Sequence, residues 1–192
     1  MSVSLQKGQR VDLTKGTSLK TAKVCIGWDT NRYDGSAEFD LDVEAFMLGS
    51  NGKCISDEHF IFYNNPKDPE GSIEHSGDNR TGAGDGDDEV ILVTFEKVNP
   101  KVQSIIFTVT IHEARQRAQN FGMVENAYIR VEDAETNTEI CRYDLGEDFS
   151  IQTSVVVGEL YKNGTDWKFK AVGMGYAREL ADFCREYGIN IG

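Results

Sequence analysis

The sequence predicts a mainly β protein, a two-sheet β-sandwich with about two peripheral α-helices, in a single domain over residues 1–192. Three observations predict it. Short runs rich in β-branched and aromatic residues recur from end to end, several with period-two alternation. Turn chemistry separates them: "SNGK", "NNPKDPEGS", "ETNTE" and "KNGTD". Only two segments carry a helical pattern, and neither a linker nor an internal repeat interrupts the series.

The elements follow in order. "VSL" and "RVDL" are short strands near the start. "KVCIGWD" puts Val24, Ile26 and Trp28 on one side. "EFDLDVEAFML" puts Phe39, Leu41, Val43 and Ala45 on one face, leaving Asp40, Asp42, Phe46 and Leu48 on the other. "HFIFYNN", "EVILVTFEKV", "SIIFTVTIH", "AYIRVED", "EICRYDL", "SVVVGELYK" and "WKFKAVG" continue the pattern, about ten strands in all. Asn51-Gly52 and Asn163-Gly164 are hairpin signals. "EARQRAQNF", from Glu113 to Phe121, has helix formers and neither Gly nor Pro. "YARELADFCREYG" is amphipathic, with Tyr176, Leu180, Phe183, Cys184 and Tyr187 on one stripe and Gly188 as its stop.

The chain carries 32 acids against 20 bases, a formal charge of −12. Such a field repels nucleic acid and anionic lipid and attracts cations. Cys25, Cys54, Cys141 and Cys184 are far apart, and no Cys-x-x-Cys occurs; His59, His75 and His112 are scattered too. A zinc cluster of local spacing is therefore not expected. The opening "MSVSLQKGQR" lacks an apolar signal core, and no stretch reaches the ~18 apolar residues of a membrane span. A cytoplasmic protein with structural, unreactive thiols is expected.

The chemistry concentrates in "GDNRTGAGDGDDE", Gly77 to Glu89. Asp78, Asp85, Asp87, Asp88 and Glu89 supply hard oxygens and Asn79 an amide oxygen. Gly77, Gly82, Gly84 and Gly86 let the backbone turn its carbonyls inward. In "FDLD", Asp40 and Asp42 share a strand face, roughly 7 Å apart along it. Asp29 at the end of "IGWD" is a third location, equally readable as a turn residue. Calcium wants six to eight such oxygens; zinc would want the His and Cys this segment lacks. The loop is not an EF-hand: counting from Asp78, Arg80 and Gly82 fall at the third and fifth positions, which need oxygen ligands. Nor is it a phosphate cradle, since no Gly-Lys-Ser/Thr follows the glycines. A solvated acidic loop is the competing reading.

Together with "GWD", "FDLD", "FIFYNN", "VTIHEARQRAQNFG", "IRV", "GELY", "WKFKAVGMGY" and the opening "SVSLQKGQRVDLTK", the loop resembles the TerD family of tellurite-resistance and stress proteins, over nearly the whole chain. The resemblance implies a β-sandwich with peripheral helices and two neighbouring calcium sites built from acidic loops. Matched residue by residue, it implies Asp78, Asn79, Asp85, Asp87, Asp88 and Glu89, with Asp40 and Asp42, as ligands of about two Ca2+ ions. Members sit in bacterial operons linked to resistance to tellurite, phage and other stresses, and some slime-mould members are described as cyclic-AMP binders.

No nucleophile elbow, Cys-His pairing or dinucleotide loop is present, so an enzyme is not expected. His112, ending an apolar strand, reads as a satisfied core histidine. The expectation is a calcium-dependent binding or adaptor module. Its partner would be a protein, another copy of the chain, or a membrane surface bridged by calcium. Calcium-assisted cyclic-nucleotide binding is the alternative, and a metal-dependent hydrolase a weaker one.

Overall fold

The computed structural model describes residues 1–30, 39–76, 86–146 and 149–192. Among these residues twelve strands form two six-stranded sheets. They are β1 (Val3–Ser4), β2 (Arg10–Asp12), β3 (Thr21–Thr30), β4 (Leu41–Leu48), β5 (Phe60–Ile61), β6 (Ile73–His75), β7 (Glu89–Thr94), β8 (Ser104–Ile111), β9 (Val124–Asp133), β10 (Thr138–Asp144), β11 (Ser154–Asn163) and β12 (Asp166–Tyr176). The first sheet runs β1-β10-β9-β3-β7-β6, the second β2-β12-β11-β8-β4-β5. Every pairing is antiparallel except β1 with β10. The expected two-sheet sandwich is the observed one. The four edge strands are two or three residues long, which leaves little backbone for another chain to pair with.

Alternation decides what each sheet buries. Ala22, Val24, Ile26 and Trp28 of β3 and Leu41, Val43, Ala45 and Met47 of β4 enter one core shared by both sheets, with Ile91, Phe107, Ile129 and Phe169. The opposite face of β4 carries Asp42 and Glu44 and then Phe46 and Leu48. There a second apolar cluster forms, because helix α2 lays Phe183 and Cys184 onto Phe46, Leu48 and Phe60. Phe46 and Phe60 stack at 4.6 Å between centroids.

The two helices differ from expectation in length. α1 spans only Ala114–Arg117. Residues at both its flanks, Glu113 and Ala118, are left-handed, and that geometry halts the helix although the residues to Phe121 favour one. α2 spans Leu180–Glu186, and Tyr176 belongs to β12 instead. A reciprocal capping box joins Glu179 and Asp182 at its start. At its end Gly188, at φ 76°, closes a Schellman motif: Ile189 N–H donates to the Cys184 carbonyl and Gly188 N–H to that of Arg185. β6 was not expected; "HFIFYNN" yields only the two residues of β5, and "FEK" turns as a 3-10 segment rather than extending β7. No helix among the described residues is long and apolar enough to cross a membrane.

β3, β6, β8 and β10 end, and β4, β7, β9 and β11 begin, at one end of the sandwich. Both acidic segments singled out in the sequence leave from that end.

Candidate metal centre

The centre is built on the β3–β7 pair. Ile26 and Glu89 are register partners, so Asp87 and Asp88 lie alongside Gly27 and Trp28. Asp88 N–H donates to the Ile26 carbonyl at 3.0 Å, and its Oδ2 accepts from Trp28 N–H at 2.8 Å. Across β3, an irregularity between Gly27 and Asp29 shifts the pairing with β9. It brings Asp29 beside Asn126, whose amide donates to Asp29 Oδ2 at 2.7 Å. Burial raises the Asp88 carboxyl above its usual range; the Trp28 bond opposes this, while the nearby charges of Asp29 and Asp87 add to it. These carboxylates repel one another.

Asp87 is held differently. Arg130 of β9 grips it with Nε to Oδ1 at 2.8 Å and Nη2 to Oδ2 at 2.6 Å, and the Tyr128 hydroxyl donates to Oδ1 at 2.8 Å. Arg130 also reaches Glu132 and Glu139. Burial alone would raise the Asp87 carboxyl, but the guanidinium and phenol outweigh it and the group ends below its usual range. Tyr128 can lie here because Gly27 has no side chain: a Cβ on Gly27 would sit 2.5 Å from the Tyr128 ring. The Arg142 guanidinium also stacks on this ring, 3.8 Å from its centroid.

Glu89 points between the sheets. It is 2% exposed, and its Oε2 meets His75 Nε2 of β6 at 2.9 Å. Asp40 and Asp42 open the second sheet at the same end. The Asp40 carbonyl accepts from His112 N–H at 2.8 Å, while its carboxylate Oδ1 is buried with no hydrogen-bond partner among the described residues. Asp42 is 8% exposed, with His112 Nδ1 3.9 Å away. Beyond it, Glu44 is fully buried and accepts from the Thr108 and Thr110 hydroxyls. Burial drives the Glu44 carboxyl well above its usual range against those two bonds, and the charges of Asp42 and Glu89 push the same way. The described contacts do not join Asp40 and Asp42 directly to Asp87 or Asp88. Asp78, Asn79 and Asp85 lie outside the described residues.

Arg130, Tyr128 and Glu44 were not singled out in the sequence. Period two in "AYIRVED" does put Tyr128, Arg130 and Glu132 on one face, and that was the available signal. His112 corrects an expectation. β8 ends at Ile111, so the ring lies outside the core, with its side chain 43% exposed. Its neighbours Asp42 at 3.9 Å and Glu113 at 3.8 Å are beyond hydrogen-bond reach. The thiols match expectation: burial raises Cys25, Cys54 and Cys141 to about 12 and Cys184 to about 11, the reverse of a reactive cysteine.

The TerD domain profile matches residues 1–187. The chain belongs to the TerD family. It is 52% identical over 191 residues, 99% of each chain, to a protein named tellurium resistance protein TerD from Serratia marcescens. To general stress protein 16U of Bacillus subtilis (strain 168) it is 51% identical, with all of both chains covered. A crystal structure of a telluride resistance protein (TerD) homologue from Streptomyces coelicolor A3(2) superposes with a TM-score of 0.70. That match is 22% identical and covers 86% of this chain and 95% of the other, so it bears on the fold alone. The sandwich thus brings these acids together through long-range pairing: Glu89 lies opposite Ile26, Asp42 opposite Thr110 and Asp29 opposite Glu125.

Proposed function

We propose that this TerD protein is a cytoplasmic, non-catalytic stress-response protein that binds about two calcium ions at the acidic end of the sandwich and acts there as a calcium-dependent binding module. The observation that carries the reading is Asp40: a buried carboxylate oxygen without a donor among the described residues costs free energy that a cation removes. The raised Asp88 carboxyl, crowded by Asp29 and Asp87, supports it. The donors are hard oxygens, which suit calcium over zinc.

The ligand oxygens proposed are those of Asp78, Asn79, Asp85 and Asp88 with Asp40 and Asp42. Asp87 and Glu89 contribute through lone pairs that Arg130 and His75 leave unused, and chiefly fix the end of the loop to the sheets. Calcium would supply the charge that neutralises this end and ties the 31–40 and 76–88 connections together, presenting a surface to a protein partner or a second copy of the chain. The names of the relatives suggest a role in general stress or tellurium resistance. Thiols near 11–12 argue that this role is indirect rather than chemical reduction of tellurite.

Titration calorimetry of chelator-treated protein, in excess magnesium, tests the proposal. About two calcium equivalents with a clear heat are expected; an absence of calcium heat in folded protein would end it.

A further inference from the structure

A second cluster flanks β5: His59 stands just before it, and Asp68 and Glu70 lie in its connection to β6. His59, Asp68 and Glu70 are separated in sequence, yet one ligand atom from each lies within 4.8 Å of the other two. We propose that these three side chains form a separate site for a borderline divalent transition-metal ion, with zinc as its natural probe, at the opposite end of β7 from the acidic loop. The position follows from Glu70 meeting Asn99 and Ser72 meeting Thr94, beyond the C-terminal end of β7. Glu89 starts that strand, about 17 Å away by strand rise.

Each ligand is aimed by a neighbour that is not itself a ligand. Ser56 Oγ meets His59 Nδ1 at 2.6 Å, which turns Nε2 toward Glu70 Oε2 at 2.9 Å. Asp68, 4% exposed, accepts from the Ser72 hydroxyl at 2.6 Å and from Ile73 N–H at 2.7 Å. Asn99 Nδ2 donates to Glu70 Oε1 at 2.5 Å. Such outer bonds fix ligands in metal sites, and each carboxylate oxygen keeps a lone pair. Ser56 suits two states. Its hydroxyl can donate to Nδ1 while Nε2–H donates to Glu70. With metal on Nε2, Nδ1–H can donate back to Ser56 Oγ, so the same contact serves either tautomer.

Charge and ligand type choose the ion. Among the described ion pairs Glu70 meets only His59, and Asp68 meets none. Two carboxylates and a neutral imidazole leave two negative charges, which one dication cancels. The Asn99 amide and the His59 ring hold the two Glu70 oxygens in place. One nitrogen and two oxygens fall short of calcium's six to eight oxygens but match zinc with an open water position. Bonds of roughly 2.1 Å at tetrahedral angles put ligand atoms about 3.4 Å apart, so the cluster must close by up to about 1.4 Å. Glu70, with its side chain 29% exposed, is the member free to move.

The test is a zinc titration of the full chain in saturating calcium, which blocks the acidic end, read by competition with a chromophoric chelator and by His ring resonances. One calcium-resistant zinc per chain is expected, shifting the His59 ring. Glu70→Gln preserves volume and the Asn99 contact and should weaken zinc at least tenfold. Ser56→Ala should weaken it by roughly tenfold. Glu74→Gln, at an exposed neighbour paired with Lys67, should bind as the parent does, as should Cys54→Ser. The proposal is overturned if no calcium-resistant zinc binds, if folded Glu70→Gln binds unchanged, or if Cys54→Ser abolishes binding. A shift at His75 or His112 in place of His59 would overturn it as well.

Discussion

Asp87→Asn and Asp88→Asn, made separately, distinguish anchoring from metal binding at adjacent residues. At Asp87 the substitution retains one oxygen for Arg130 Nε and Tyr128 but turns an amide NH2 toward Arg130 Nη2, donor against donor. Each charge-assisted hydrogen bond contributes about 1.5–3 kcal/mol in protected sites, whereas an exposed pair gives at most about 1 kcal/mol. The Asp87 and Arg130 side chains are 12% and 20% exposed, and Arg130 keeps Glu132 and Glu139. A net loss of about 1.5–3 kcal/mol follows, or a Tm fall of roughly 4–10 °C for a chain of this size. The fall should appear both with calcium and with chelator, and most of the calcium-dependent rise should survive. Asp88→Asn should behave oppositely. With chelator its Tm should match or slightly exceed the parent, because a raised, crowded carboxylate has gone, and most of the calcium-dependent rise should vanish. Thermal denaturation followed by circular dichroism, in both conditions, reads all four values. If Asp87→Asn leaves the chelator Tm unchanged, the Arg130 grip does not stabilise the fold. If Asp88→Asn keeps the full calcium shift, Asp88 is not a ligand.

Three further outcomes are expected. Glu44 has its folded pKa above its unfolded value, so the wild type should lose stability as pH rises from the unfolded value of about 4.3 through the folded one. Glu44→Gln should therefore gain on the wild type between pH 5 and pH 8 in urea titrations; a constant difference would show that Glu44 ionises normally. Asp87 has the opposite sign: its contribution is complete above about pH 3.9 and disappears as pH falls through its lowered folded value, so acid unfolding of Asp87→Asn should be less steep there. Iodoacetamide at pH 8 should leave all four cysteines unmodified in folded protein and label them on unfolding; rapid labelling of Cys25 would contradict its burial beneath Asp87 and Arg130.

What could be read from the sequence was what depends on local periodicity. The alternations of β3 and β4 assigned Val24, Ile26, Trp28, Leu41 and Val43 to the core correctly, because one side of each strand must bury. The Asn163-Gly164 turn joins β11 to β12 as expected. β6 escaped notice because three residues ending in His75 carry too little pattern, and its identity depends on pairing with Ile91, Leu92 and Val93 of β7. Helix propensity from Glu113 to Phe121 misled because backbone geometry at Ala118 overrode it. At the candidate centre the acids were visible as composition, but Arg130 meets Asp87 across 43 residues and His59 meets Glu70 through a folded-back connection. Neither contact has a spacing that sequence alone would mark.

The central claim is that the acidic end of this sandwich is a calcium site. Equilibrium dialysis of the full chain against millimolar calcium with a tenfold excess of magnesium, followed by metal analysis, tests it most directly. The account predicts about two calcium ions and little magnesium per chain, with calcium falling in Asp88→Asn and in Asp40→Asn. Folded protein that retains no calcium, or retains magnesium in its place, would contradict it and leave the loop as a solvated acidic surface.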